Sequence, residues 1–130
     1  MKKTVCIVAS NYYPKISKAL ISGSSKILKS KGIRNYKVIK IPGVFEIPYV
    51  IKKNINKFDG FIALGCVIKG KTPHFDFISS AATDGIMKLS IENKKPVGNG
   101  IITCLNMNQA IKRKRKGAEA SKAVKSILLK

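Results

Sequence analysis

Acidic residues are scarce in this chain, histidine occurs once, and no long apolar run is present. Its 130 residues include six Asp and Glu against 26 Lys and Arg. The acids are Glu46, Asp59, Asp76, Asp84, Glu92 and Glu119; none closes an apolar segment, and Asp59 precedes one. A nucleotide hydrolase needs a strand-end carboxylate to help hold magnesium, so the scarcity weighs against that class. Cys6, Cys66 and Cys104 are far apart and form no C-x-x-C pair. Each lies within or at the end of an apolar run, as small core residues of a reducing compartment do, which argues against disulfides and zinc ligation. No segment is apolar for long enough to span a membrane. The opening "MKKTVCIVAS" has two lysines, but its apolar run, residues 4–9, is shorter than the ~7–15 residues of a secretion signal. It reads as a buried first strand, and a cytoplasmic location is expected.

Positive charge is what the chain has in excess, a formal +20. Lysines occur in every segment, at Lys18, Lys26, Lys37, Lys52, Lys88 and Lys125, and only "KRKRKG", residues 112–117, forms a block. This spread reads as a lysine-coated surface that adheres to polyanions at low salt, with no specific nucleic-acid partner.

At 45% hydrophobic, the length suits one domain, residues 1–130, with a real core. "TVCIVAS", "YKVIKI", "FDGFIALGCVI" and "PVGNGIITC" read as strands, the first and third nearly continuous and so buried on both faces. Between them, Ile16, Leu20, Gly23 and Ile27 repeat at helical spacing, with Gly32 as a stop. A short helix is expected over about 45–55, and Ile78, Ala82, Ile86 and Leu89 mark another. A helical tail starts near Met107 and carries Ala120, Val124 and Ile127/Leu128 on one face. Four strands joined by helical crossovers make an α/β three-layer sandwich, a parallel sheet flanked by helices, flavodoxin-like with strand order 2-1-3-4. Ligands of such sheets bind beyond the carboxyl ends of the strands, here at "SNYY", "PGVFE" and "KGKTPHF". So small a sheet can also leave an edge for a neighbour to cover.

Residues 65–75, "GCVIKGKTPHF", satisfy the phosphate-loop pattern G-x-x-x-x-G-K-[ST]. Its variable positions Cys66, Val67 and Ile68 continue the apolar strand, leaving too little flexible backbone to wrap a nucleotide. An anion site survives that objection. Gly70 permits close approach, Lys71 and Thr72 offer donors, and a helix opens with Thr72 as N-cap and Pro73 at its first position. His74 lies in its first turn. The positive end of the helix dipole favours a neutral imidazole there, which beside a bound phosphate could accept and return protons. Tyr12 and Tyr13 could stack on a flat heterocycle or simply pack under a loop. Glu46 could complement a helix dipole or accept bonds from ligand hydroxyls.

"IPGVFEIP", "FDGFIALGCVIKGKTPHFDF", "KKPVGNGIIT", "NQAIKR" and "KGAEA" together resemble the 6,7-dimethyl-8-ribityllumazine synthase family. The resemblance implies condensation of 5-amino-6-(D-ribitylamino)uracil with 3,4-dihydroxy-2-butanone 4-phosphate, the penultimate step of riboflavin synthesis, without metal or organic cofactor. By motif, Tyr12 stacks on the pyrimidine, and Val44, Phe45 and Glu46 hold the ribityl side. Cys66, Val67 and Ile68 present backbone to the uracil edge. Lys71, Thr72 and Arg113 bind the phosphate, and His74 transfers protons. Asn99 reaches the site of an adjacent subunit, because family sites lie at subunit interfaces.

Asn99 stands where some members have an aromatic ring, and the segment after Arg113 is shorter than in many members, with Lys116 in the place of their lysine. Family members are pentamers or capsids of 60 subunits. The short segment and the start close to the first core strand favour a free homopentamer.

Overall fold

A computed structural model of the protein describes residues 3–29 and 32–130. Four strands, β1 (Lys3–Ser10), β2 (Ile33–Ile41), β3 (Gly60–Ile68) and β4 (Val97–Cys104), form one parallel sheet in the order β2-β1-β3-β4. The helices are α1 (Pro14–Leu28), α2 (Ile47–Lys53), α3 (His74–Asn93), α4 (Met107–Lys112) and α5 (Lys116–Leu128), with a 3-10 turn at Val44–Glu46. The expected sandwich and strand order are both present.

The apolar runs of β1 and β3 occupy the two central positions, where side chains point alternately into two cores. Val5, Ile7, Ile62 and Leu64 pack with Leu20, Ala120 and Val124 of α1 and α5. Cys6, Val8, Phe61 and Ala63 pack on the other face with Ile47, Ile51, Ala82 and Ile86 of α2 and α3. Each fully buried Ile or Leu contributes roughly 1.5–3 kcal/mol. The outer strands β2 and β4 mix buried with exposed positions, and β4 is an open edge.

Three local readings shift. The helix of α3 begins at His74, with Pro73 as its N-cap, one residue later than the Thr72 cap predicts. The helical tail is broken into α4 and α5 by a turn over 113–115. There α5 is drawn so close to α1 that a Cβ on Gly117 would collide with the Leu20 carbonyl. The buried stripe of α1 is Ile16, Ser17, Leu20, Ser24 and Leu28, with Ile27 only half-buried. Ser24 is accommodated by a short hydrogen bond to Ser121 of α5.

Candidate functional site

Loops from β1, β2 and β3 converge at the carboxyl ends of those strands. Ser10 closes β1, and its Oγ donates to the Pro42 carbonyl at 3.4 Å. The next N–H, that of Asn11, donates to the Ile41 carbonyl at 2.8 Å. These bonds tie the loop leading to α1 against the end of β2. The loop presents Tyr12, exposed, and Tyr13, half-buried, meeting edge to face with centroids 5.0 Å apart.

After β2, Pro42-Gly43 leads into the 3-10 turn. Val44 points down onto Gly65 of β3, while Phe45 and Glu46 stay exposed. The Glu46 carboxylate folds back over Gly43, where a Cβ would lie 2.8 Å from Oε1. Glycine at position 43 therefore lets the carboxylate face the cavity mouth.

Cys66, Val67 and Ile68 are the last residues of β3, so the first half of the phosphate-loop pattern is strand, not a flexible cradle. Burial, then the charge of Cys104 and a hydrogen bond with it, push the Cys66 thiol up to about 12. It is a neutral wall of the cavity at physiological pH, not a nucleophile. Lys69 N–H donates to the Cys104 carbonyl at 2.8 Å, tethering the start of the β3–α3 connection against the end of β4. Lys71 and Thr72 lie exposed in that connection, and a Cβ at Gly70 would meet nothing within 4 Å. The Thr72 Oγ1 accepts from the His74 N–H at 3.4 Å, while Asp76 N–H turns back to the Pro73 carbonyl at 3.0 Å. These contacts set the first turn of α3 with the His74 side chain exposed at its start.

Tyr12, Val44, Phe45, Glu46, Cys66, Val67, Ile68 and His74 all line one cavity of about 510 Å³. Its mouth is polar at Glu46 and His74; its walls are aliphatic and aromatic. Ser10 and Gly43 line it too; they fall in the segments expected at the strand ends but carried no role of their own there. Ile78, read only as a position on a helix face, also lines it, one turn after His74. Lys71 and Thr72 lie outside the lining.

Asn99 and Arg113 are elsewhere. They line a second cavity of about 410 Å³, beside the open edge of β4, together with Thr103, Lys112, Arg115, Lys116 and Glu119. Asn99 Oδ1 accepts from the Ile101 N–H at 3.0 Å, and Arg113 Nη1 donates to the Thr103 carbonyl at 2.8 Å. Side chains thus satisfy edge groups that no strand among the described residues pairs with. Arg113 is placed by α4, whose N-terminus is capped by Asn106 Oδ1 accepting from Gln109 N–H at 2.9 Å. The two cavities share no lining residue. Within one chain, the basic cluster and the His74 cavity are therefore separate.

A sequence profile of the family described as 6,7-dimethyl-8-ribityllumazine synthase matches residues 2–130. The chain belongs to that family. It is similar to the 6,7-dimethyl-8-ribityllumazine synthase of Nitratidesulfovibrio vulgaris (strain DP4), at 43% identity over 91% of this chain and 81% of the relative. The synthase of Mycobacterium avium (strain 104) is 38% identical over 95% and 81% of the two chains. That of Cutibacterium acnes (strain DSM 16379 / KPA171202) is 36% identical over 92% and 76%. Membership in the lumazine synthase family makes the chain an enzyme of the transferase class. Among the described residues no helix is long and apolar enough to cross a membrane.

Proposed function

We propose that this chain condenses 5-amino-6-(D-ribitylamino)uracil with 3,4-dihydroxy-2-butanone 4-phosphate to give 6,7-dimethyl-8-ribityllumazine, the penultimate step of riboflavin biosynthesis. The observation that carries the reading is the convergence of Tyr12, Val44–Glu46, Cys66–Ile68 and His74, from three separate segments, on one cavity. Its exposed aromatic rings suit a flat pyrimidine, and the Glu46 carboxylate suits a polyhydroxylated chain. The strand-end backbone of Cys66, Val67 and Ile68 offers hydrogen bonds to the uracil edge.

Imine formation, phosphate elimination and ring closure require protons to be taken up and returned while the leaving phosphate is held. His74, at the cavity mouth, is the proton-transfer group. Lys71 and Thr72 of the adjacent turn bind the phosphate. A planar guanidinium suits the same anion, which assigns Arg113 to it. Because Arg113 and Asn99 line a different cavity of the same chain, they serve the site of a neighbouring subunit.

This arrangement requires self-association, with a homopentamer as the assembly and the 60-subunit capsid as the alternative. Phe77, Met87 and Ile91 of α3 and Tyr49 of α2 are large and exposed in the single chain, as subunit contacts are. The enzyme works in the cytoplasm as a single-domain subunit.

The test is to mix purified protein with the two precursors and follow the lumazine by absorbance. A rate well above the spontaneous one supports the proposal; a rate equal to it contradicts the proposal.

A further inference from the structure

Lysines are spread along the sequence, but the fold sorts the charges. Within α2 and α3 themselves, Lys52, Lys53 and Lys88 are equalled in number by Asp76, Asp84 and Glu92, with Lys57, Lys94 and Lys95 in the turns that follow. The opposite layer has no acid on α1, and the single acid on α5, Glu119, lines the cavity beside β4. The solvent face of α1 reads Lys15, Lys18, Ser22, Lys26, continuing to Lys29, all exposed and spaced three or four apart. This stripe is about 20 Å long at 1.5 Å per residue.

α5 extends the face. Gly117 packs on Leu20, Ala118 on Gly23 and Ser121 on Ser24. The paired numbers rise together, so the two helices run side by side in the same direction. Beyond these contacts, Lys26 of α1 and Lys122 and Lys125 of α5 rim a groove of about 500 Å³.

We infer that this α1/α5 face docks the phosphodiester backbone of a nucleic-acid duplex, without reading its sequence. Two rows of ammonium groups complement a linear array of phosphates. Neither helix carries an aromatic residue, so the face has no platform on which unpaired bases stack. Ser22, Ser25, Ala123 and Ser126 lie between the lysines. The larger apolar side chains, Ile27 and Leu129, line the groove and form no continuous stripe of the kind that seats a helix in a bilayer. The face is distinct from the His74 cavity and from the cluster around Arg113, and the inference does not rest on the proposed reaction.

The test is fluorescence anisotropy of a labelled DNA duplex of mixed sequence, titrated with the intact protein across a salt series. Neutralising four or five phosphates predicts a slope of log Kobs against log salt of about −4. Lys26→Glu/Lys122→Glu should weaken binding by about tenfold or more and flatten the slope by about 2. Lys53→Glu/Lys57→Glu, with the same change in net charge away from this face, should stay within about twofold of the parent. If the reversal lowers the thermal midpoint, Lys26→Gln/Lys122→Gln should give the same order of affinities. Equal weakening by the two Glu variants would overturn the inference, because the attraction would then come from net charge alone. Tighter attachment to phosphatidylserine vesicles than to the duplex at the same salt would overturn it as well.

Discussion

Gly65 lies directly beneath Val44: a Cβ on Gly65 would stand 2.6 Å from Val44 Cγ2 and 3.2 Å from Ser10 Cβ. A glycine in the middle of a central strand thus lets the Val44–Glu46 turn settle onto the sheet and aim Phe45 and Glu46 at the cavity. Gly65→Ala forces that turn outward. Overpacking of this kind costs roughly 1–3 kcal/mol, which a urea midpoint will show. The KM for the ribitylaminouracil should rise as well, because the displaced turn is the wall against which the proposed function places it.

His74→Ala removes the titratable group at the cavity mouth and leaves the surrounding walls in place. Loss of general acid–base assistance predicts a fall in kcat of about a hundredfold, with KM for both substrates changed much less. An unchanged kcat would remove His74 from proton transfer even if the reaction itself is confirmed. The thermal midpoint should stay near the parent's, because the side chain is exposed.

Arg113→Lys keeps the charge but loses the two-pronged donor and its bond to the Thr103 carbonyl. The expected signature is a raised KM for the butanone phosphate and little change in KM for the pyrimidine. An equal rise in both would mean that Arg113 acts on the fold of the site and not on the phosphate.

The buried thiols give a pH dependence whose sign follows from their shifts. Burial raises Cys6 from 9.0 to about 11, against a smaller opposing effect of Lys37. Below pH about 9 the thiol is protonated folded or unfolded. Above it the unfolded chain loses that proton first, so stability falls as pH rises through the window from about 9 to 11. Within the window the loss approaches about 1.4 kcal/mol per pH unit. Cys6→Ala lacks this term, so its stability deficit relative to the parent should shrink between pH 8 and 10.5. A constant deficit over that range would contradict the account.

The strands and most helices are legible in the chain because continuous apolar runs and 3.6-residue spacing have direct physical causes. The cavity is legible for a related reason: Tyr12, Glu46 and His74 all follow carboxyl ends of strands, where a parallel sheet exposes its loops. What escaped depends on contacts made at a distance. The break between α4 and α5 carries no proline and follows from Gly117 meeting Leu20. The buried face of α1 contains Ser24, which looks like a surface residue until Ser121 supplies its partner. The motif that carries Arg113 gives it a phosphate to bind, but not its position on a cavity apart from His74. That separation comes from β4 being an edge strand.

The claim that these two cavities are halves of one active site is tested most directly by complementation. His74→Ala and Arg113→Ala, each slow alone, are co-expressed so that the assemblies contain both chains, and lumazine formation is measured against the parent. Random mixing in a cyclic assembly restores an intact His74 and Arg113 to about a quarter of the interfaces, so the mixed protein should recover about a quarter of the parental rate. A rate no higher than the average of the two variants would contradict the account, placing both groups in the site of a single chain or leaving one of them outside it.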